Sequence, residues 1–170
     1  SDVEFYYTGK ARMMDSFVTQ DASNEIEIAV EQYELSARAL ATNPLSLTAR
    51  TAAASSALRL ASLGQEQMGS EAIERYEELA LRFPGVGEVY IQLASAYLVL
   101  GRPEEALRTL DGYQEGASSK KPELPAERYY ILGLAYHQLG RTQRAVVFLE
   151  TYLEAAPAGR YVEAVRQYLQ

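Results

Sequence analysis

Apolar and small residues recur along this chain with the period of a helix. Tyr90, Leu93, Ala94 and Tyr97 fall at i, i+3, i+4 and i+7, which brings them to one helix face. Ala106, Leu110 and Tyr113 form a second such stripe, and Gly101 lies between the two. A glycine there suits the left-handed residue that ends a helix, where a side chain would be strained. Pro103 fits the first turn of the following helix, because its missing N–H leaves no bond unmade there. The pattern predicts two helices joined by a short turn.

The same pattern returns 39 residues later, without a gap, as Tyr129, Leu132, Gly133, Tyr136, Gly140, Ala145, Leu149 and Tyr152. Ala94 or Gly133 on the first helix and Ala106 or Ala145 on the second are small where the helices must approach, and the tyrosines and leucines fill the space around them. Pro157 closes the second helix of the later unit, as Pro84 does one unit earlier. Upstream, Ala29 to Glu34 parallels Ala72 to Glu77, each reading as a second helix that runs to Pro44 or Pro84. Tyr7 to Ala11 echoes Ile131 to Ala135, and Leu60 to Gly64 echoes Tyr97 to Gly101. Asn24 with Glu27 three residues on reads as a capping box at a helix start. The expectation is a single domain over 1–170 built of four hairpins, at about 2–44, 45–84, 85–121 and 122–157, with a capping helix over 159–170. Tyr161, Ala164, Val165 and Tyr168 are the expected apolar face of that cap, leaving Arg160, Glu163, Arg166 and Gln167 to solvent.

These residues resemble the tetratricopeptide repeats, whose signature is a large residue, Leu, a small residue, Tyr, Gly, Ala, an aromatic or Leu, and a closing Pro. The chain departs from that signature with Tyr113 and Tyr152, where the family usually has a small residue. Its unit is 39 residues against about 34 for the family. The extra length falls in the Ser-, Lys- and Pro-rich stretch from Gly116 to Pro125, read as a solvated spacer with Lys120 and Lys121. The resemblance implies an all-α, right-handed α-solenoid whose first helices line a concave groove that holds segments of other proteins.

On that footing, the residues of the first helices that lie off the packing face would meet a partner. They are Glu88, Ile91, Ser95 and Leu98 in one hairpin and Glu127, Tyr130, Leu134 and His137 in the next. Tyr6, Lys10, Met13, Ala54 and Leu58 join them from upstream. The groove so drawn is more apolar than charged, which favours an extended peptide or an amphipathic helix as the partner. Some family members clamp a peptide's terminal carboxylate with Lys, Arg and Asn on these helices, and only Lys10 is available for that here, which disfavours a carboxylate-tail partner. A competing reading has another helix, the chain's own terminus or a second copy, lying over the same residues. The alternative function is a structural scaffold that self-associates or forms part of a larger assembly, such as one in the cell envelope.

Composition narrows the chemistry further. With 170 residues and 48% apolar content the chain can bury a core, which separates it from a disordered acidic tail. A net charge of −7 repels phosphates, so neither nucleic acid nor an anionic membrane surface is an expected partner. The absence of cysteine removes disulfides, thiolate metal sites and a Cys nucleophile. His137 is the one histidine, which rules out a two-histidine metal motif. Glu77 and Glu78, like Glu104 and Glu105, are helix neighbours about 100° apart and do not converge on a substrate. No Gly-rich phosphate loop with Lys is present. The expectation is therefore a non-enzyme with no catalytic residue, cofactor or metal. No apolar run approaches the roughly 18 to 20 residues of a membrane helix, so no direct membrane insertion is expected. The chain opens at Ser1 and leaves its compartment undecided between cytoplasm and, where an upstream signal has been removed, periplasm.

Overall fold

Three glycines set the turns. In the computed structural model Gly64, Gly101 and Gly140 have φ of 96°, 70° and 70°. Around each, two backbone bonds close the helix in the same way: the glycine N–H reaches back three residues and the next N–H reaches back five, as in Arg102 to Tyr97 and Arg141 to Tyr136, both 2.8 Å. This double closure requires a left-handed residue, which glycine supplies without a side-chain penalty. The structure describes residues 22–115 and 122–170. All its described elements are helices: α1 (Ala22–Thr42), α2 (Leu47–Ser62), α3 (Gln67–Arg82), α4 (Gly87–Val99), α5 (Pro103–Glu115), α6 (Glu127–Gln138), α7 (Thr142–Ala155) and α8 (Val162–Tyr168). Proline stands two residues beyond the ends of α1, α3 and α7, at Pro44, Pro84 and Pro157, where it biases the residue before it away from the helical region. Pro103 opens α5 as its first residue.

The chain divides into two compact units, one ending at Arg82 and one beginning at Phe83. In the first, α2 packs against both α1 and α3. Its contact face is made of alanine: Ala49, Ala53 and Ala57, spaced by four, are all at 0% exposure, and Ala29, Ala39 and Ala72 meet them from the neighbouring helices at the same value. Side chains this small let helix backbones approach closely, and Leu35, Leu60, Ile73, Tyr76 and Leu79 fill the remaining space. Ser36 and Ser56 are buried polar groups that satisfy each other, Oγ to Oγ at 2.7 Å. Ser46 caps α2 by accepting from the Ala49 N–H at 3.1 Å. Asn24, expected to cap α1, lies inside it instead, since the helix is already under way at Ala22; nothing in Ala22 and Ser23 opposes a helix.

In the second unit α4 pairs with α5 and α6 with α7, while α6 also packs on both α4 and α5. Leu93, Ala94 and Tyr97 from the first hairpin and Ala106, Leu110 and Tyr113 from its second helix are buried. Their counterparts Ala145, Leu149 and Tyr152 are buried too, but Leu132 and Tyr136 are only half-buried. After α7 comes α8, which packs on it through Val162 and Val165 against Leu149 and Tyr152. The cap thus differs from its expected form. It begins at Val162, not 159, and its buried pair is Val162 and Val165, while Ala164 is exposed. Tyr161 precedes the helix, and it and Tyr168 pack at the margin of the Leu149, Tyr152, Val162 and Val165 cluster.

Candidate functional site

On α6, Glu127, Tyr130, Leu134 and His137 follow one another at intervals of three or four residues and form a single stripe along the helix. The last segment of the chain lies against that stripe and covers part of it, as the competing reading expects of the chain's own terminus. Tyr130 stacks on Tyr161 with ring centres 4.1 Å apart and planes 7° apart. Further along each segment, the His137 ring meets Tyr168 edge-on at 5.0 Å, and its Nδ1 is 2.8 Å from the Tyr168 hydroxyl. Both pairs join residues 31 apart, so the last segment runs parallel to α6. Leu134, half-buried, lies between the two pairs on the α6 stripe. Arg160 carries its guanidinium over the Tyr161 ring at 4.9 Å and stands 3.9 Å from Glu88 on α4.

The Tyr130 ring is held from below as well, with Tyr152 at 5.8 Å. Burial pushes the Tyr130 hydroxyl above its ordinary pKa, and the neighbouring Tyr161 and Tyr152 hydroxyls push the same way. The stripe is therefore an aromatic and aliphatic surface with Glu127 at one end and an Arg160–Glu88 pair across its edge. Such a surface recognises apolar side chains and offers polar ring edges for backbone hydrogen bonds.

The other residues singled out from sequence divide sharply. Ser95 and Glu88 on α4 are half-buried and accessible. Ile91 and Leu98 on the same helix are not: they are 3% and 5% exposed and belong to the core. The reason is that α4 is packed on more than one side, with α6 against it as well as α5; Gln138 of α6 donates to the Leu98 carbonyl at 3.0 Å. Ala54 is fully buried in the alanine face of α2, and Leu58 on the same helix is half-buried. Tyr6, Lys10 and Met13 lie outside the described residues. Sequence reasoning missed Arg160, Tyr161 and Tyr168 as parts of this face. The meeting of Tyr161 and Tyr168 with Tyr130 and His137 rests on how the last segment seats on α6, which no local spacing signals.

Among the described residues no group of three His, Asp or Glu side chains is placed to hold a metal ion. No helix of the described residues is long and apolar enough to cross a membrane. No curated protein sequence matches the chain. Residues 65–122 match a family model described as tetratricopeptide repeat, and residues 126–158 match a second model of the same description. The helix pairs, their glycine turns and these two matches, which together span more than half of the sequence, show that the chain belongs to the tetratricopeptide repeat family.

Proposed function

We propose that the chain is a protein-interaction module that holds an extended peptide or an amphipathic helix of a partner on the face of its first helices. Tetratricopeptide repeats are generally modules of protein–protein interaction. The observation that carries the finer reading is the α6 stripe of Tyr130, Leu134 and His137, widened by Tyr161 and Tyr168 into an aromatic floor. Ser95, Glu88 and Glu127 supply polar groups at its edges. In the first unit, taken by itself, Leu58 is the half-buried residue of α2 that the same reading selects. Arg160, the one cation on this floor among the described residues, is matched by Glu88, so the face favours apolar side chains over a peptide's terminal carboxylate. The same reading makes the chain a binding protein without a catalytic centre: the single histidine has an exposed ring engaged with a tyrosine, not a base held between a nucleophile and an orienting acid.

The test is selection of linear peptides from a displayed random library against the purified chain, followed by mapping of amide shifts. Expected are peptides with apolar anchors whose shifts centre on Tyr130, Leu134 and His137, and a loss of about tenfold or more in affinity with Leu134→Asp. Shifts centred elsewhere, or full affinity in Leu134→Asp, would remove the α6 stripe as the site.

A further inference from the structure

A second surface lies at the outer edge of the α6–α7 hairpin, away from the stripe. Tyr136 stacks on Phe148 with ring centres 5.4 Å apart and planes 4° apart. The Arg144 guanidinium lies over the other part of the Tyr136 ring at 5.4 Å, and Val147 beside it is 58% exposed. These side chains, with Gln143, line a depression of about 270 Å³. Contact of α8 with the hairpin runs through Leu149, Tyr152, Tyr130 and His137 and does not include this stack.

The repeat provides its own control. Shifted by 39 residues, Gln143, Arg144, Val147 and Phe148 fall on Glu104, Glu105, Arg108 and Thr109 of α5. In that inner hairpin the tyrosine equivalent to Tyr136 is Tyr97, which is 6% exposed. Arg102 lies over the Tyr97 ring at 4.9 Å and is neutralised by Glu105 at 3.0 Å. In the last hairpin Arg141 stands at the place of Arg102, and Arg144 replaces the acid that would balance it. Neither arginine has a carboxylate partner among the described residues, and Glu150, further along α7, is paired with neither. Four polar or charged positions have thus become two apolar ones, an amide and an unbalanced cation.

We infer that this edge docks a segment of a partner protein that presents one or two large apolar residues flanked by Asp or Glu. The apolar part of the occupant follows from Val147 and Phe148, which stand where the inner hairpin has Arg108 and Thr109. Its acidity follows from Arg141 and Arg144, an unbalanced basic pair in a chain whose net charge is −7. Exposed aromatic and aliphatic groups clustered beside unbalanced charge mark such contact sites.

The probe is a peptide with Leu and Phe flanked by Glu, used beside a twin in which every Glu is Lys, each titrated into the full chain. Expected are amide shifts at Tyr136, Arg144, Val147 and Phe148 with the acidic peptide, and binding about tenfold or more weaker for the basic twin. Arg144→Glu and Val147→Arg, each taking the residue of the inner hairpin, are expected to abolish those shifts while leaving thermal unfolding unchanged. Equal binding of the two twins, unaltered affinity in Arg144→Glu, or shifts confined to Tyr130 and Leu134 would each overturn the inference. So would sedimentation showing a dimer that Val147→Arg dissociates, because the occupant would then be a second copy. Failure of this probe leaves the displayed-peptide test of the α6 stripe standing, since the two read different residues.

Discussion

The hydroxyl of Tyr113 donates to the carbonyl oxygen of Pro122, nine residues downstream, at 2.8 Å. One unit later Tyr152 does the same work with the opposite polarity, its oxygen accepting the N–H of Tyr161, again nine residues on, at 3.2 Å. These are the two positions where the family usually has a small residue. Here the ring fills the base of the hairpin, 2% and 0% exposed, and the hydroxyl fastens the segment that leaves it. Tyr113→Phe and Tyr152→Phe are each expected to cost about 1 kcal/mol, the net worth of one such bond. Alanine at either place is expected to cost about 3 to 5 kcal/mol through the cavity it leaves. Urea unfolding followed by circular dichroism measures both. A Phe variant as stable as the parent would show that the hydroxyl contributes nothing.

Gly133 and Leu149 give a second, opposite case. A Cβ built on Gly133 would lie 2.6 Å from both Cγ and Cδ2 of Leu149, which is 1% exposed and has nowhere to move. In the inner hairpin the same position is Ala94, fully buried. Gly133→Ala gains about 1 kcal/mol of helix propensity and is expected to lose about 1 to 3 kcal/mol by overpacking. The net sign is destabilising. A double-mutant cycle with Leu149→Ala is expected to show coupling, the second change costing less when Gly133→Ala is already present than in the parent. Additive costs would mean that the helices separate without penalty and that their close approach is not set here.

How far the sequence carries depends on what each feature rests on. Glycines at 101 and 140 and the proline at 103 act through local backbone geometry, and the structure shows them in the expected roles. Helix faces were harder to read. Ile91 and Leu98 lie off the stripe of Tyr90, Leu93, Ala94 and Tyr97, yet they are buried, because a helix flanked on several sides has more than one packed face. Val162 and not Ala164 is buried in α8, because the face that meets Leu149 and Tyr152 carries Val162 and Val165, three residues apart. Tyr161 and Tyr168 were visible as apolar residues, but their meeting with Tyr130 and His137 depends on the seating of α8, which no local pattern encodes.

In the first unit, Tyr33 donates to Glu71 at 2.5 Å, and Arg75 holds the same carboxylate oxygen through two N–H groups at 2.7 and 2.9 Å. Burial alone would raise the Glu71 pKa, but the Tyr33 bond and the Arg75 contacts outweigh it and hold the carboxyl below its ordinary 4.5. A depressed carboxylate stabilises the fold at pH above its unfolded value, and that stabilisation is lost as pH falls through the folded value. Unfolding midpoints are expected to drop below about pH 4.5, and Glu71→Gln is expected to lower stability near neutrality while converging with the parent at about pH 3. A variant equally destabilised at both pH values would show that the loss is one of shape and not of charge.

At the alkaline end the tyrosines take over. Tyr130 is raised by burial and then by its tyrosine neighbours, Tyr90 by burial and then by Tyr113, and Tyr76 by burial alone. A raised phenol keeps its proton in the fold, so its stabilisation is complete below the ordinary value of 10.0 and is lost as pH rises through the folded value. Alkaline unfolding is therefore expected to begin above about pH 10, and Tyr130→Phe is expected to shift its onset upward by removing one group that resists ionisation. The same variant reports on the candidate site, because Tyr130 is raised by burial first and then by Tyr161 lying against it. Difference absorbance of tyrosinate, parent minus Tyr130→Phe, isolates that one ring. Titration of Tyr130 above the ordinary value is the result expected of a ring buried against Tyr161 and Tyr152. Titration at the ordinary value would mean an open Tyr130–Tyr161 stack, and the aromatic floor would then reduce to α6 alone.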